Sequence, residues 1–317
     1  MTVSIIIVTK TWQKNIEECV KKCQQLNYPD FEIIIVPDEN IAVPYANISV
    51  IPSGRVSPGE KRDLASKYAK GDILAFIDDD AYPERNWLKN AVSNFKNPEI
   101  AAVGGPAVTP PEDGLREKAS GKVYESVLLS GNYRYRYVKS FKRFVEDYPS
   151  CNLILRASEF RKLGGFNTKF WPGEDTKLCW GIIHKLNKKI LYDPQVLVYH
   201  HRRKLFLPHL RQIANYALHR GYFVKKYPET SLKFSYFVPS IFISFLLLGL
   251  ILSFFSTMIM HLFILFILIY IGIVLFFSLN KNIRLTLYVL AGTILSHLTY
   301  GIFFVKGLLA KNIDKPR

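Results

Sequence analysis

Three consecutive carboxylates, Asp78, Asp79 and Asp80, follow the apolar run Ile73-Leu74-Ala75-Phe76-Ile77. Adjacent carboxylates repel one another, and burying one is costly. Period-two alternation along a strand puts Asp78 and Asp80 on the same side. Two carboxylates facing one point form a hard oxygen site for Mg2+ or Mn2+, and the cation relieves their repulsion. Nucleotide diphosphates are the usual third party at such magnesium sites. A solvated acidic turn, with Asp80 capping a helix, would carry the same letters.

Two further stretches have residue types suited to chemistry. In "WPGEDTKLCWGIIHKL", Leu178, Ile182, Ile183 and Leu186 have helical spacing, so a helix starts near Glu174 or Asp175. Carboxylates at a helix N-terminus are stabilised in the ionised form. Asp175 there is a candidate general base, and a plain N-cap is the alternative. In "VLVYHHRRK", His200 and His201 end an apolar strand ahead of a basic triplet. A neutral imidazole at either position could complete a metal site with the aspartates. The triplet Arg202-Arg203-Lys204 suits phosphate or lipid headgroups.

The elements that would position these residues are short and alternate in type. Ser4–Val8, Phe31–Val36, Ile73–Ile77 and Ile100–Val103 read as buried strands. Asn15–Leu26, Pro58–Lys70 and Trp87–Phe95 read as helices, with Pro58 and Gly71 marking the ends of the second. This alternation argues for an α/β fold with a mostly parallel sheet and helices on both faces. Ligands of such sheets bind outside the carboxyl ends of the strands, where the aspartate triplet falls.

Charge is distributed unevenly along the 317 residues. Ser235–Asn280 contains 46 residues without Asp, Glu, Lys or Arg, and Leu285–Val305 contains 21 more. A membrane span needs about 20 apolar residues. The first run fits two spans, at about 236–256 and 259–279, and the second fits one, at 285–305, that either crosses or lies partly in the interface. The chain therefore divides into residues 1–204 as a globular domain, 205–234 as amphipathic interfacial linker, and 235–317 as membrane anchor. Lys225, Lys226 and Lys233 precede the first run, and Lys281 and Arg284 separate the second span from the third. By the positive-inside rule, the globular domain faces the cytoplasm of a multi-pass protein at the cell membrane. Lys306, Lys311, Lys315 and Arg317 sit awkwardly with a third crossing, because they would then lie outside.

Of the net charge of +16, +11 falls in the first 234 residues. A basic domain beside a membrane suggests anionic headgroups or phosphorylated substrates. Residues 133–144, "YRYRYVKSFKRF", interleave aromatic and basic side chains. An amphipathic strand or acceptor loop near lipid explains them better than nucleic acid, since no nucleic-acid-binding module accompanies them. The four cysteines, Cys19, Cys23, Cys151 and Cys179, form no CxxC pair and read as reduced, partly buried thiols.

Taken in order, "GEKRDLASKYAKGDILAFIDDDAYPE", "AAVGGP", "SCNLILRASEFRKLGGFNTKFWPGEDTKLCW" and "VYHHRRK" resemble a family 2 glycosyltransferase over about residues 3 to 225. The resemblance implies the Rossmann-like GT-A fold, here followed by C-terminal transmembrane helices. It implies that Asp38 contacts the nucleotide base, and that Lys61 and Arg62 contact base or diphosphate. It makes Asp78 and Asp80, with Asp79 between them, the DxD motif that holds ribose, diphosphate and a divalent metal, Mn2+ or Mg2+. It makes Glu174 and Asp175 the catalytic pair, with Asp175 as the base. His200 is preferred to His201 as the histidine that completes the metal site, and Gly164-Gly165 would support the acceptor loop.

The function expected from this is inverting transfer of a sugar from a nucleotide-diphosphate donor. The acceptor is a hydroxyl of a lipid-linked glycan or a polysaccharide at the cytoplasmic membrane face. A polyprenyl-phosphate glycosyltransferase is the nearest rival, but its ionised acceptor needs no base. A non-catalytic relative that binds nucleotide sugar or membrane is the second.

Overall fold

Continuous apolar strands such as "SIIIV" and "ILAFI" can be buried on both faces, and the central sheet is built from them. The computed structural model describes residues 1–168 and 170–313; Lys315 and Arg317, noted above, lie outside the described residues. The chain separates into two units. One comprises Met1–Pro110 and Tyr135–His201, the other Pro111–Arg134 and the chain from Arg202 onward.

The first unit begins with β1 (Val3–Val8), α1 (Lys14–Cys23), β2 (Phe31–Val36), β3 (Ile48–Val50), α2 (Pro58–Tyr68) and β4 (Ile73–Asp78). It continues with β5 (Ala81–Pro83), α3 (Trp87–Asn94), β6 (Ile100–Gly104) and β7 (Ala107–Val108). The chain then passes through α4 (Leu115–Glu125) and α5 (Val127–Ser130) of the second unit. It returns through β8 (Arg143–Val145), β9 (Asn152–Arg156), α6 (Ala157–Lys162), α7 (Glu174–His184), β10 (Lys189–Tyr192) and β11 (Val198–His200).

The main sheet has the order β3-β2-β1-β4-β9-β6-β10-β8. Most strands share one direction, as the sequence suggested, but β9 runs antiparallel between β4 and β6, and β8 runs antiparallel to β10. Alternation sorts the core. Ile5, Ile7, Ala75 and Ile77 face one way and pack with Cys19, Val20, Trp87 and Leu88 of α1 and α3. Phe76 faces the other way, with its ring 5.5 Å from Phe160 and 5.4 Å from Phe166. Asn152 is fully buried yet satisfied. It donates to the carbonyls of Gly105 (2.6 Å) and Val196 (2.8 Å) and accepts from Trp87 Nε1 (2.8 Å), which pins β9 to the strand-end loops.

A second, three-stranded sheet of order β5-β11-β7 stands at the end of β4. All four cysteines are buried and form no disulfide, in line with the reading of reduced thiols. The aromatic and basic stretch 133–144 is a strand only from Arg143; its first residues complete a 3-10 turn, Gly131–Arg136. The expectation of an amphipathic strand fails there because Tyr135 packs edge-on against Tyr192 and near Tyr148 instead of alternating.

The second unit continues with α8 (Leu207–Lys226), α9 (Pro228–Ser231), α10 (Phe234–Ser253), α11 (Thr257–Ser278) and α12 (Ile283–Leu309). Of these, α10, α11 and α12 are long and apolar enough to cross a membrane. The expected amphipathic helix is α8, and its buried face, with Ile213, Ala217 and Phe223, packs along α12. A Cβ at Gly221 would collide with the Phe304 carbonyl, so glycine permits this close backbone approach. His209 is fully buried and joins α4 to α12: Nδ1 lies 2.8 Å from Ser120 Oγ and Nε2 lies 3.0 Å from Ser296 Oγ.

Candidate active site

The aspartate triplet lies where the sheet runs out. Strand β4 ends at Asp78, and Asp79-Asp80 turn the chain into β5. Because Asp78 follows the alternation of Phe76, it faces α2, and Arg62 Nη2 donates to Asp78 Oδ1 at 2.7 Å. Asp79 points elsewhere and accepts from Thr9 Oγ1 at 2.6 Å. Burial, with the neighbouring charges of Asp80 and Asp78, pushes the Asp79 carboxyl up to about 6. Asp80 leads into β5, where Ala81 pairs with His200 of antiparallel β11.

That pairing decides between the two histidines. His200 Nε2 is 3.0 Å from Asp80 Oδ1, whereas His201 Nε2 is 3.2 Å from Glu18 Oε2. Successive residues of a strand point to opposite faces, so only one of the pair can meet the aspartate. Ligating atoms of Asp78, Asp80 and His200 lie within 4.8 Å of one another. Two carboxylate oxygens and an imidazole nitrogen suit Mn2+ or Mg2+. Such close packing of lone pairs also favours a cation among them, so this donor set fits a divalent metal.

The helix predicted to start near Glu174 does start there. Gly173, with φ of 116°, makes the turn into α7. Glu174 and Asp175 then diverge. Glu174 is buried, and its Oε1 accepts from Arg62 Nη1 at 3.2 Å. Burial and the charge of Asp175 push Glu174 up to about 8, with Arg62 opposing. Arg62 Nε and Glu174 Oε2 are buried without a hydrogen-bond partner. Burial alone would lower Arg62, but Asp78 and Glu174 outweigh it and raise it. Asp175 is only half-buried, and its Oδ2 accepts the Ser150 N–H at 3.0 Å. Burial raises this carboxyl too, against the pull of Arg62.

The remaining sequence candidates also come to this end of the sheet. Asp38 follows β2 and pairs with the ammonium of Lys61, which also donates to the Thr9 carbonyl. Lys61 and Arg62 are 4% and 3% exposed, so both cations are spent on protein groups rather than presented to solvent. The capping box between Ser57 and Glu60, with Pro58 in the first turn, fixes where α2 begins and hence where both point. Gly165 has φ of 79°, and a Cβ there would strike Asp63. Asp63 in turn accepts the N–H groups of Phe166 (2.8 Å) and Asn167 (3.0 Å), which shapes the loop before α7. Thr9 and Ser150 were missed from sequence. Thr9 had a signal, since it lies at the carboxyl end of the first strand; the Ser150 contact uses a backbone N–H, and nothing in the letters marks it.

Residues 4–164 match the sequence model of the family described as Glycosyl transferase family 2. A pre-mycofactocin glycosyltransferase of Mycobacterium tuberculosis is 31% identical over 150 residues, which are 47% of this chain and 31% of that protein. The chain thus spans less than a third of that relative. A glucosyl-dolichyl phosphate glucuronosyltransferase of Haloferax volcanii is 25% identical over 226 residues, 65% of this chain and 70% of that one. Among solved structures, a mannosyltransferase of Pyrobaculum calidifontis in complex with GDP-Man and Mn2+ shares the fold with a TM-score of 0.51. It is 20% identical, and the match covers 69% of this chain and 61% of that one.

Proposed function

The chain is a family 2 glycosyltransferase of GT-A fold, and from that premise we propose that it transfers a sugar, with inversion, from a nucleotide-diphosphate sugar to a hydroxyl of a lipid-linked glycan. The observation that carries this reading is the convergence, at one end of β4, of an Asp78-Asp80-His200 cluster and the Glu174-Asp175 pair, joined by Arg62.

Asp78, Asp80 and His200 would hold a divalent cation, Mn2+ or Mg2+. Such an ion supplies neutralisation of the donor diphosphate as it leaves. Asp175 has one oxygen fixed by Ser150 and sits at the first turn of α7, where it accepts the proton of the acceptor hydroxyl. Burial raises its proton affinity towards that of a working base. Glu174 is too enclosed to meet an acceptor; it holds Arg62, and Arg62 holds Asp78. Asp38, steadied by Lys61, would meet the nucleotide base. Attack by the hydroxyl from the face opposite the leaving group inverts the anomeric carbon.

Support for a lipid-linked sugar as acceptor comes from the haloarchaeal relative, whose name describes transfer onto glucosyl-dolichyl phosphate. An acceptor hydroxyl requires a base, and Asp175 supplies one; a bare polyprenyl phosphate would leave it without a task. The membrane is the second partner, through the anchor 235–317 and the linker 205–234, with the globular domain 1–204 on the cytoplasmic face. Lys225, Lys226, Lys233, Lys281 and Arg284 flanking the apolar helices support that orientation.

The test is a transfer assay on the full chain in detergent with UDP-, GDP- and dTDP-sugars, with Mn2+, Mg2+ or EDTA. Polyprenyl-linked saccharides and bare polyprenyl phosphate serve as acceptors, and NMR reads the new linkage. Metal-dependent transfer to the saccharide with an inverted anomeric centre is expected. Transfer confined to bare phosphate would put the rival loading reaction in its place. A folded protein that binds no donor would point to a non-catalytic relative.

A further inference from the structure

By length and composition α12 is a third membrane span. Its contacts say otherwise. Helices α10 and α11 form an antiparallel hairpin: Phe242 packs on Tyr270 at 4.5 Å, and Phe245 on Phe266 at 4.6 Å. α10 therefore begins at the same end of the hairpin at which α11 finishes. α12 starts there too, with Asn280 N donating to Thr286 Oγ1 at 3.0 Å. If α12 then crossed the bilayer beside α11, Gly301 and Phe304 would lie about 27–32 Å away, near the far turn of the hairpin. Instead they meet the first turns of α10. The Phe304 and Phe237 rings are 4.9 Å apart, and Ser240 Oγ donates to the Gly301 carbonyl at 2.9 Å.

We propose that α12 does not cross the membrane but lies in its interface, across the end of the hairpin where α10 begins and α11 ends. The partner of its outer face is the headgroup and acyl boundary of the bilayer. Both faces of the helix fit. Thr286, Gly292, Thr293 and Ser296 are buried, while Ile283, Leu287, Ile302 and Leu309 are exposed. The large apolar residues turned outward give α12 a lipid-facing side opposite its packed stripe of small and polar residues, and the contacts with the first turns of α10 set its depth.

Its neighbours point the same way. α8 accompanies α12 along its length: Ser296 contacts His209, and the Ala310 carbonyl accepts from Lys225 Nζ at 2.6 Å. α8 carries Arg211, Arg220, Lys225 and Lys226, and α4, with Val123 in the same cluster as Val289, carries Arg116, Glu117, Lys118, Lys122 and Glu125. Helices with this many charges do not sit in hydrocarbon. α12, held by both, stays at their depth.

The arrangement also removes the difficulty of the C-terminal charges. Lys306 and Lys311 come to the same face as Lys225, Lys226, Lys233, Lys281 and Arg284, and the far turn from Ser253 to His261 has no Lys or Arg. One face then carries all the Lys and Arg of the anchor among the described residues, as the positive-inside rule requires.

The experiment is side-specific labelling of single added cysteines in sealed membrane vesicles with an impermeant charged maleimide. The four native thiols are buried, and wild-type protein sets the background. Lys281→Cys reports the near face and Phe255→Cys, 81% exposed, reports the far turn. Lys311→Cys is expected to label from the same side as Lys281→Cys, with loss of labelling from the other. Asn312→Cys replaces it if that variant fails to accumulate. Labelling of either tail variant from the side of Phe255→Cys would overturn the proposal and restore a third span.

Discussion

Arg62 reaches Glu174 at 3.2 Å across 112 positions of sequence, and so ties the start of α7 to the end of β4. The same guanidinium holds Asp78 at 2.7 Å. Candidate base and candidate metal cluster are thus fixed relative to each other by one side chain.

Removing that side chain leaves Glu174 and Asp78 without their cation in a desolvated place. Arg62→Met is expected to cost about 3–5 kcal/mol of stability, as for other buried pairs broken from one side. Thermal melting reads the loss. Glu174→Gln keeps a hydrogen-bond acceptor for Arg62 and should melt much closer to wild type; an Arg62→Met variant that melts with wild type would show that the contacts of Arg62 carry no energetic weight.

Asp80→Asn and His200→Ala are each expected to weaken Mn2+-supported donor binding by on the order of 10–100-fold or more, by analogy with disturbed metal shells. His201→Ala, whose ring lies against Glu18 and Tyr82 and outside the Asp78-Asp80-His200 cluster, should bind donor as wild type. Calorimetric titration of donor with and without EDTA makes the comparison. If His201→Ala were the impaired variant, the assignment of the two histidines would be reversed.

Asp175→Asn should lower kcat by about 10^2–10^4, the usual worth of a positioned general base, while donor affinity stays unchanged. Steady-state kinetics at saturating donor, with donor titration alongside, separates the two. Full turnover in this variant would remove Asp175 from the base role.

His209 gives a pH dependence away from the chemistry. Burial lowers it from 6.5 to about 4 in the folded chain, with Arg202 adding to the shift. The unfolded chain then binds more protons between those values, so stability is full above about 6.5 and is lost as pH falls towards 4. The loss amounts to roughly 3 kcal/mol at 1.36 kcal/mol per unit. The melting temperature of wild type should fall through that window more steeply than that of His209→Gln. Parallel pH profiles would refute the assignment.

Much of this was legible because the signals are local. Continuous apolar runs gave β1, β2 and β4, Pro58 and Gly71 gave the ends of α2, and helical spacing after Gly173 gave α7. The aspartates were readable as a cluster because they end an apolar run, but the turn at Asp79-Asp80, rather than strand alternation, sets where Asp80 stands. What escaped depends on partners far along the chain. "NLILR" has no feature that marks it as the antiparallel strand between β4 and β6; only the pairing of both its edges does. The resemblance set Lys61 and Arg62 of "GEKRD" against base or diphosphate, but no local signal says that both are buried, because the carboxylates after β2, at the end of β4 and at the start of α7 that converge on them are far along the chain. Hydropathy counted three spans because it measures length and apolarity, and neither reports which turns of α10 the helix α12 touches.

The link between His209 and Ser296 joins residues 87 positions apart. A ribosome adding about 5–20 residues per second needs roughly 4–17 s to make the second after the first. Through that interval α10 and α11 are made, and the side of α8 bearing Ala217 and Phe223 has no α12 to cover it. α12 therefore docks after α8, α10 and α11 are made, and until then α8 must be sheltered by lipid or by a chaperone. A chain cut before Ile283 would carry that face bare for its whole life, and would be a substrate for degradation rather than a minimal enzyme.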